Sequence, residues 1–279
     1  MVNQNEITNY WEKEVCGTRF VDSLNDESRH YFEIKESRYK VEPYIKELAF
    51  GNNNKLQGKK ILEIGVGAGT DFIGFLQSGA ICYGIDATDA AISETKKNIK
   101  YALSNNKYDL AYLEKVNAEN LPFEDNYFDI IYSHGVLHHA KNTMKCLSEA
   151  QRVLKPGGTL KLMVYSSFSA TGIMLWFIYG FSKLNFFISQ EEIIRKYLES
   201  PGTKSYSLKE FRKIIEGFSF KILSLKKYAG CGDLMLIRPS KKHKRNPFFG
   251  IIKKVYPRYI VRKFESFLGG ALTVVAKKQ

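Results

Sequence analysis

Three of the five histidines, His134, His138 and His139, fall within six positions of one another in the stretch YSHGVLHH. Imidazoles so placed can move a proton, ligate a metal ion, or cap and pack the start of a helix. As ligands they have i, i+4 and i+5 spacing, but no carboxylate or cysteine follows closely, so no metal is assigned. Further upstream, Glu63-Ile-Gly65-Val-Gly67-Ala-Gly69 offers a different chemistry. Glycines directly after a strand let the backbone turn sharply and approach a ligand with no Cβ in the way. The helix start that follows presents unpaired N–H groups to the ligand's polar end. Asp86, at the end of the next apolar run, is placed to accept hydrogen bonds from both hydroxyls of a ribose. Together these residues point to a nucleoside cofactor. The dinucleotide fingerprint G-x-G-x-x-G is not met, because its third glycine position is Thr70, and a dehydrogenase is therefore disfavoured.

Alternating strands and helices must hold these residues in place. KILEI (60–64), AICYGID ending at Asp86, LAYLEKV (110–116), YFDIIYSHG (127–135) and TLKLMVYS (159–166) read as five strands. Helices are expected between them. The first starts at Thr70 or Asp71, either of which can cap it, and runs to Ser78-Gly79. Another covers DAAISETKKNIKYALSNN, with Ala91, Ile92, Ile99 and Leu103 as its apolar positions. A third covers 144–154, with KPGG as a turn after it. About forty residues then interrupt the alternation, before a helix over 206–218 and a strand over 219–228. A second, basic insertion leads to the closing strand ALTVVAKK, expected to pair antiparallel with 219–228. The pattern predicts a doubly wound α/β fold: a mostly parallel, seven-stranded sheet with an antiparallel last strand. The predicted division is a helical N-terminal lid (1–57), a cofactor-binding core (58–166), a helical insertion on the acceptor side (167–205) and a closing part (206–279).

The motifs ILEIGVGAG, YGIDATDAAI, NAENLPFEDNYFDIIYSHGVLHH and EAQRVLKPGGTLKLMVY resemble class I S-adenosylmethionine-dependent methyltransferases. Within that class the likeness is to the ubiquinone/menaquinone-type group, and it covers roughly residues 58–166. It implies a Rossmann-like core and S-adenosyl-L-methionine as cofactor. Gly65 and Gly67 would lie against the methionine portion, with Glu63 near its amino end. Asp86 would take the ribose hydroxyls, and Asn117 with Ala118 would meet the adenine. The family pattern usually has Asp where Asn117 stands, so the amide oxygen accepts without charge assistance and slightly weaker binding is implied. Ser133 would sit near the sulfonium; by chain order Tyr39 is a candidate cofactor-side residue of the lid, with a hydrophobic cap on the sheet as the alternative.

A sulfonium methyl donor is already activated, so the protein mainly has to align the reactants and exclude water. A general base is needed only where the acceptor's proton does not leave by itself. His138 and His134, just past the fourth strand, are the candidates for that base. Packing or capping of the next helix is the alternative for His138 and His139.

Composition speaks to the acceptor and to the compartment. Net charge is +13, yet residues 1–200 carry 23 Lys+Arg against 25 Asp+Glu, whereas residues 201–279 carry 19 against 4. Such a field attracts anionic partners: phosphate-bearing substrates, anionic membrane surfaces or nucleic acid. The basic segment within 238–263 alternates cations with aromatic and aliphatic residues, as interfacial segments do. Trp11, Tyr31 and Tyr39 are candidate lid-lining residues, and the apolar run Ala170–Phe181, too short to span a bilayer, suits a greasy acceptor. The expected acceptor is thus a small molecule, lipophilic or anionic, lipid-linked or phosphate-bearing, methylated on O or C. RNA methylation is a second reading, although the loop after the fourth strand lacks the N/D-P-P-[YF] pattern that orients amines of bases. A non-catalytic cofactor-binding module is a third. Cys16, Cys82, Cys146 and Cys231 form no C-x-x-C pair, and the polar N-terminus is no secretory signal, so a reducing cytoplasm is expected.

Overall fold

The computed structural model describes residues 3–13, 15–18, 26–51, 56–103, 110–180, 184–236, 254 and 256–279. Its strands are β1 (Lys60–Ile64), β2 (Ile81–Asp86), β3 (Ala111–Lys115), β4 (Phe128–His134), β5 (Leu154–Tyr165), β6 (Phe220–Tyr228) and β7 (Ala271–Lys278). They form one sheet in the order β3-β2-β1-β4-β5-β7-β6. Strands β1 to β5 run parallel, and β7 lies antiparallel between β5 and β6. The expected sheet is therefore present, and the closing strand pairs with β5 as well as with its predicted partner.

Successive strand residues face opposite sides, and here both sides are buried. Leu62, Ile131 and Leu162 join one core, with Leu147 and Val153 of α6 (Thr143–Val153) and Phe211 and Ile215 of α9 (Leu208–Gly217). Their neighbours Ile61, Ile130 and Met163 join the other. That core is completed by α2 (Glu27–Val41), α3 (Tyr44–Phe50), α4 (Thr70–Gln77) and α5 (Asp89–Ala102). Helices on both faces explain why the strands read as near-continuous apolar runs.

Two local expectations are revised. The cap of α4 is Gly69, in the left-handed region at φ 76°, with no side-chain cap bond. The Asp71 carboxylate is taken up by tertiary partners instead. KPGG is no separate turn: β5 already begins at Leu154, paired with Phe128, and the register then shifts before Ile130 pairs with Thr159.

The insertion after β5 holds α7 (Ala170–Tyr179) and α8 (Gln190–Tyr197), which share a small apolar core through Met174, Leu175, Ile178 and Ile193. Asp233 fastens the insertions to the sheet. Its carboxylate accepts bonds from Thr171 N (3.0 Å) and Oγ1 (2.8 Å), Gly230 N (2.9 Å) and Gly270 N (2.7 Å). Those donors belong to α7, the loop after β6 and the lead into β7. Most of the basic segment, and Phe181, lie outside the described residues; α10 (Arg258–Lys263) is its described end, and α11 (Glu265–Leu268) follows it. N-terminal to α2 lies α1 (Gln4–Lys13).

Candidate active site

A sheet ordered 3-2-1-4-5 opens a crevice at the carboxyl ends of β1 and β4, where the direction of winding reverses. A cavity of about 310 Å³ occupies it. Glu63, Gly65, Gly67, Asp86, Asn117, Ala118 and His134 all line this cavity. Ser133, His138 and Tyr39 do not stand in its lining, for reasons visible in their contacts.

The glycine loop is built for close approach. Gly65 has φ 83°, and a Cβ there would lie 2.2 Å from Val136 Cγ2. At Gly67, φ is 52° and a Cβ would come within 2.9 Å of the Cys16 carbonyl oxygen. The loop is braced from behind by α5, as Thr95 Oγ1 donates to Gly67 O and Asn98 Nδ2 to Ala68 O, both at 2.9 Å. From the front, the N-terminal segment lies across it, with Ala68 N donating to Cys16 O at 3.2 Å. Glu12 of α1 extends this cover by accepting from Asp89 N and Ala90 N, each at 3.1 Å.

Two carboxylates in the cavity are raised above their ordinary pKa by burial. Glu63 is 4% exposed, and its Oε2 has no hydrogen-bond partner. Burial, and then the nearby Asp71 charge, push its carboxyl well above the ordinary range. Asp86 accepts from Thr88 N (3.0 Å), Thr88 Oγ1 (2.7 Å) and, at 3.3 Å, Gly67 N. Burial nevertheless raises its pKa, outweighing those bonds. A cationic group beside Glu63 and hydroxyl donors at Asp86 would relieve both. The lining therefore fits an aminoacyl nucleoside such as S-adenosylmethionine. Asn117 is exposed, and its Oδ1 accepts from Glu119 N at 3.0 Å, which fixes the side chain at the cavity rim.

The residues outside the lining are held by other partners. The hydroxyl of Ser133 donates to Ile64 O at 3.0 Å, bridging β4 to β1. Tyr39 donates to Asp71 Oδ1 at 2.8 Å. Tyr132 donates to the other oxygen at 2.7 Å, and Arg38 spans both. Burial alone would raise Asp71, but the Arg38 charge and hydrogen bonds hold it below its usual value. Of the three expected lid aromatics, Trp11 lines the cavity, whereas Tyr31 and Tyr39 pack into the core.

The histidine cluster divides three ways. His134 lines the cavity with its Nε2 3.2 Å from the Tyr44 hydroxyl; burial, then the Arg38 charge, lower its pKa to about 3. His138 is fully buried between Tyr165 and His139, at ring distances of 4.1 and 4.2 Å. Neither of its ring nitrogens has a hydrogen-bond partner, and burial keeps it neutral. His139, not among the expected bases, lines the cavity beside Tyr165 and Glu199. Sequence reasoning missed Arg38, Tyr165 and Glu199. Tyr165 could have been flagged as the last residue of β5, since ligands meet strands at their carboxyl ends. Arg38 and Glu199 carried no local signal.

The core of this chain is similar to known methyltransferases. Residues 62–162 match the family model described as "Methyltransferase domain". Among curated relatives, an uncharacterised methyltransferase of Synechocystis is 32% identical over 108 residues, covering 38% of this chain and 47% of its own length. The ubiquinone biosynthesis O-methyltransferase of Pelagibacter ubique is 28% identical over 207 residues, covering 70% of this chain and 79% of the relative. The chain spans about half the length of the curated relatives it matches at 31–32% identity. A solved structure of geranyl diphosphate C-methyltransferase from Streptomyces coelicolor A3(2), in complex with Mg2+, geranyl diphosphate and S-adenosyl-L-homocysteine, superposes with a TM-score of 0.63. It is 14% identical and covers 99% of this chain and 98% of that one, a likeness of fold. The region from β1 to β5 is thus a Rossmann-like methyltransferase domain of the S-adenosylmethionine-dependent type, as its motifs implied.

Proposed function

We propose that the protein transfers a methyl group from S-adenosylmethionine to a small, lipophilic acceptor. The observation that carries this is one continuous cavity with two kinds of wall. Over β1, β2 and β3 it holds the glycine loop, Glu63, Asp86 and Asn117. Beyond β5 its walls are Met174, Leu175, Ile194, Leu198 and Met235. From β2 to β5 is three strand spacings, roughly 14 Å, enough to seat a cofactor and an acceptor side by side.

Gly65, Gly67 and Glu63 would hold the aminoacyl end, Asp86 the ribose, and Asn117 with Ala118 the base. When bound, the cofactor supplies a methyl group already activated by its sulfonium. The chain's own share is placement and exclusion of water by α1 and the 15–18 segment. An imidazole as weakly basic as His134 is a poor proton acceptor at neutral pH, and His138 does not reach the cavity.

Calorimetry with S-adenosylmethionine and S-adenosylhomocysteine tests the cofactor half of this proposal. Binding of both is expected, and binding of neither would sink it. Incubating lipid and polar extract fractions with enzyme and labelled cofactor tests turnover. A labelled product heavier by the mass of one CH₂ is expected in the lipid fraction. Binding without any labelled product would instead mark a non-catalytic module.

Peripheral contact with an anionic membrane surface belongs to the same proposal. Tyr259, Ile260 and Phe267 of α10 and α11 are 78%, 51% and 63% exposed, close in sequence to Arg262 and Lys263. Co-sedimentation with phosphatidylserine vesicles, but not with phosphatidylcholine vesicles, is the expected result. No helix among the described residues is long and apolar enough to cross a membrane.

A further inference from the structure

The insertion after β5 does more than roof the cavity. Tyr165, at the end of β5, donates its hydroxyl to Glu199 Oε2 at 2.6 Å. Glu199 lies just past the end of α8 and has φ 52°, a conformation a non-glycine residue keeps only when its surroundings enforce it. His139 Nε2 stands 3.5 Å from the same carboxylate oxygen. That ring is 4% exposed, and its Nε2 has no hydrogen-bond partner. Its other nitrogen, Nδ1, meets Ser200 Oγ at 2.8 Å and Thr203 Oγ1 at 3.1 Å. Trp11 packs edge-on against the ring at 5.0 Å. Strand, loop, insertion and lid thus converge on one carboxylate, and Tyr165, Glu199, His139 and Trp11 all face the cavity.

Nothing in the cofactor subsite needs this group, which lies across the crevice from Asp86. We propose that Glu199 is the polar pole of the acceptor subsite, accepting a hydrogen bond from a neutral hydroxyl on an otherwise apolar acceptor. Tyr165 and His139 are its positioning residues. This rests on the methyltransferase reading above. The walls beside it, Met174, Leu175, Ile194 and Leu198, are apolar, so the acceptor's body is hydrocarbon or aromatic. An anionic head is disfavoured inside the cavity. Glu42 and Asp233 also line it, while its one permanent cation among the described residues, Arg38, is engaged by Asp71. A buried carboxylate rewards a donor and repels a second anion.

The test uses the full chain saturated with S-adenosylhomocysteine and three probes of one shape: hexylbenzene, 4-hexylphenol and 4-hexylbenzoate. Calorimetry is expected to show 4-hexylphenol binding roughly ten- to hundred-fold tighter than either of the others, the range for a hydrogen bond to a charged group. In Glu199→Ala that preference over hexylbenzene is expected to fall to within about threefold, with S-adenosylhomocysteine affinity retained as proof of folding. Glu199→Gln keeps an acceptor without the charge and is expected to tolerate 4-hexylbenzoate better than the parent. Benzoate binding as tightly as the phenol, a phenol preference unchanged in Glu199→Ala, or no phenol binding overturns the assignment. Failure to bind S-adenosylhomocysteine at all would instead overturn the methyltransferase reading on which it rests.

Discussion

Arg38, on α2, grips both carboxylate oxygens of Asp71, the second residue of α4, at 2.6 and 2.9 Å. This pair joins the N-terminal helices to the element that follows the glycine loop, so the shape of the cofactor crevice depends on residues well before the Rossmann-like core. Removing one partner strands the other charge in a buried site, at a cost of about 3–5 kcal/mol. Urea unfolding of Arg38→Met should show a loss of that order. Arg38→Met combined with Asp71→Asn should recover part of it, and a double mutant no more stable than Arg38→Met would speak against the pairing. Asp71 titrates below its ordinary 3.8, so its contribution is present above that pH and lost as pH falls through the lowered value.

Glu63 supplies a proton-linked signature of cofactor binding. Without a cation beside it, its carboxyl stays protonated well above 4.5. An ammonium placed there would draw the proton off, so binding should release a proton and tighten as pH rises through the raised value. Calorimetry of S-adenosylhomocysteine in two buffers of different ionisation enthalpy reads that release directly. Glu63→Gln should abolish it and flatten the pH dependence of affinity.

Asp86 combines two jobs, bracing Gly67 and Thr88 and facing the cavity. Asp86→Asn keeps the shape but loses the charge, and should weaken S-adenosylhomocysteine binding about ten- to hundred-fold. Thr88→Ala removes one brace and should weaken it much less. Equal effects of the two substitutions would mean that Asp86 acts only through the loop.

Asn117 lines the cavity with an amide where the family resemblance implies a carboxylate. Asn117→Asp adds charge to the acceptor and should tighten S-adenosylhomocysteine binding, by roughly threefold to tenfold. No change would mean that the side chain spends its oxygen entirely on the Glu119 N–H turn.

His134 and His138 make the fold sensitive to acid. Unfolded, each takes a proton near 6.5; folded, His134 does so only at about 3 and His138 well below 6.5. Their depressed values mean stability that is present above pH 6.5 and declines as pH falls, by up to about 1.4 kcal/mol per unit for each. His138→Phe puts a larger ring in the same place with no titratable nitrogen. Whatever the packing cost, its stability relative to the parent should therefore be higher at pH 5.5 than at pH 8 by about 1–2 kcal/mol. A variant equally destabilised at both pH values would show that packing, not protonation, governs this site.

What the residues determine by themselves is local and periodic. Strand runs such as KILEI and FDIIYSH follow from burial on both faces, and the glycine loop follows from backbone angles other residues avoid. The position of Asp86 follows from where a strand ends. Each depends on neighbours a few positions away, which is why the parallel sheet, its antiparallel closing strand and the residues that line the cavity over β1, β2 and β3 were legible. The acceptor side was not. Glu199 meets Tyr165 across 34 positions, and Ser200 meets His139 across 61. Which of three clustered histidines faces the cavity turns on such contacts, because a loop's side chains point where distant partners hold them. YSHGVLHH alone is compatible with any of the three lining the crevice. The insertion's approach over β5 decides it, leaving His138 beneath the ring of Tyr165 and His139 against the carboxylate.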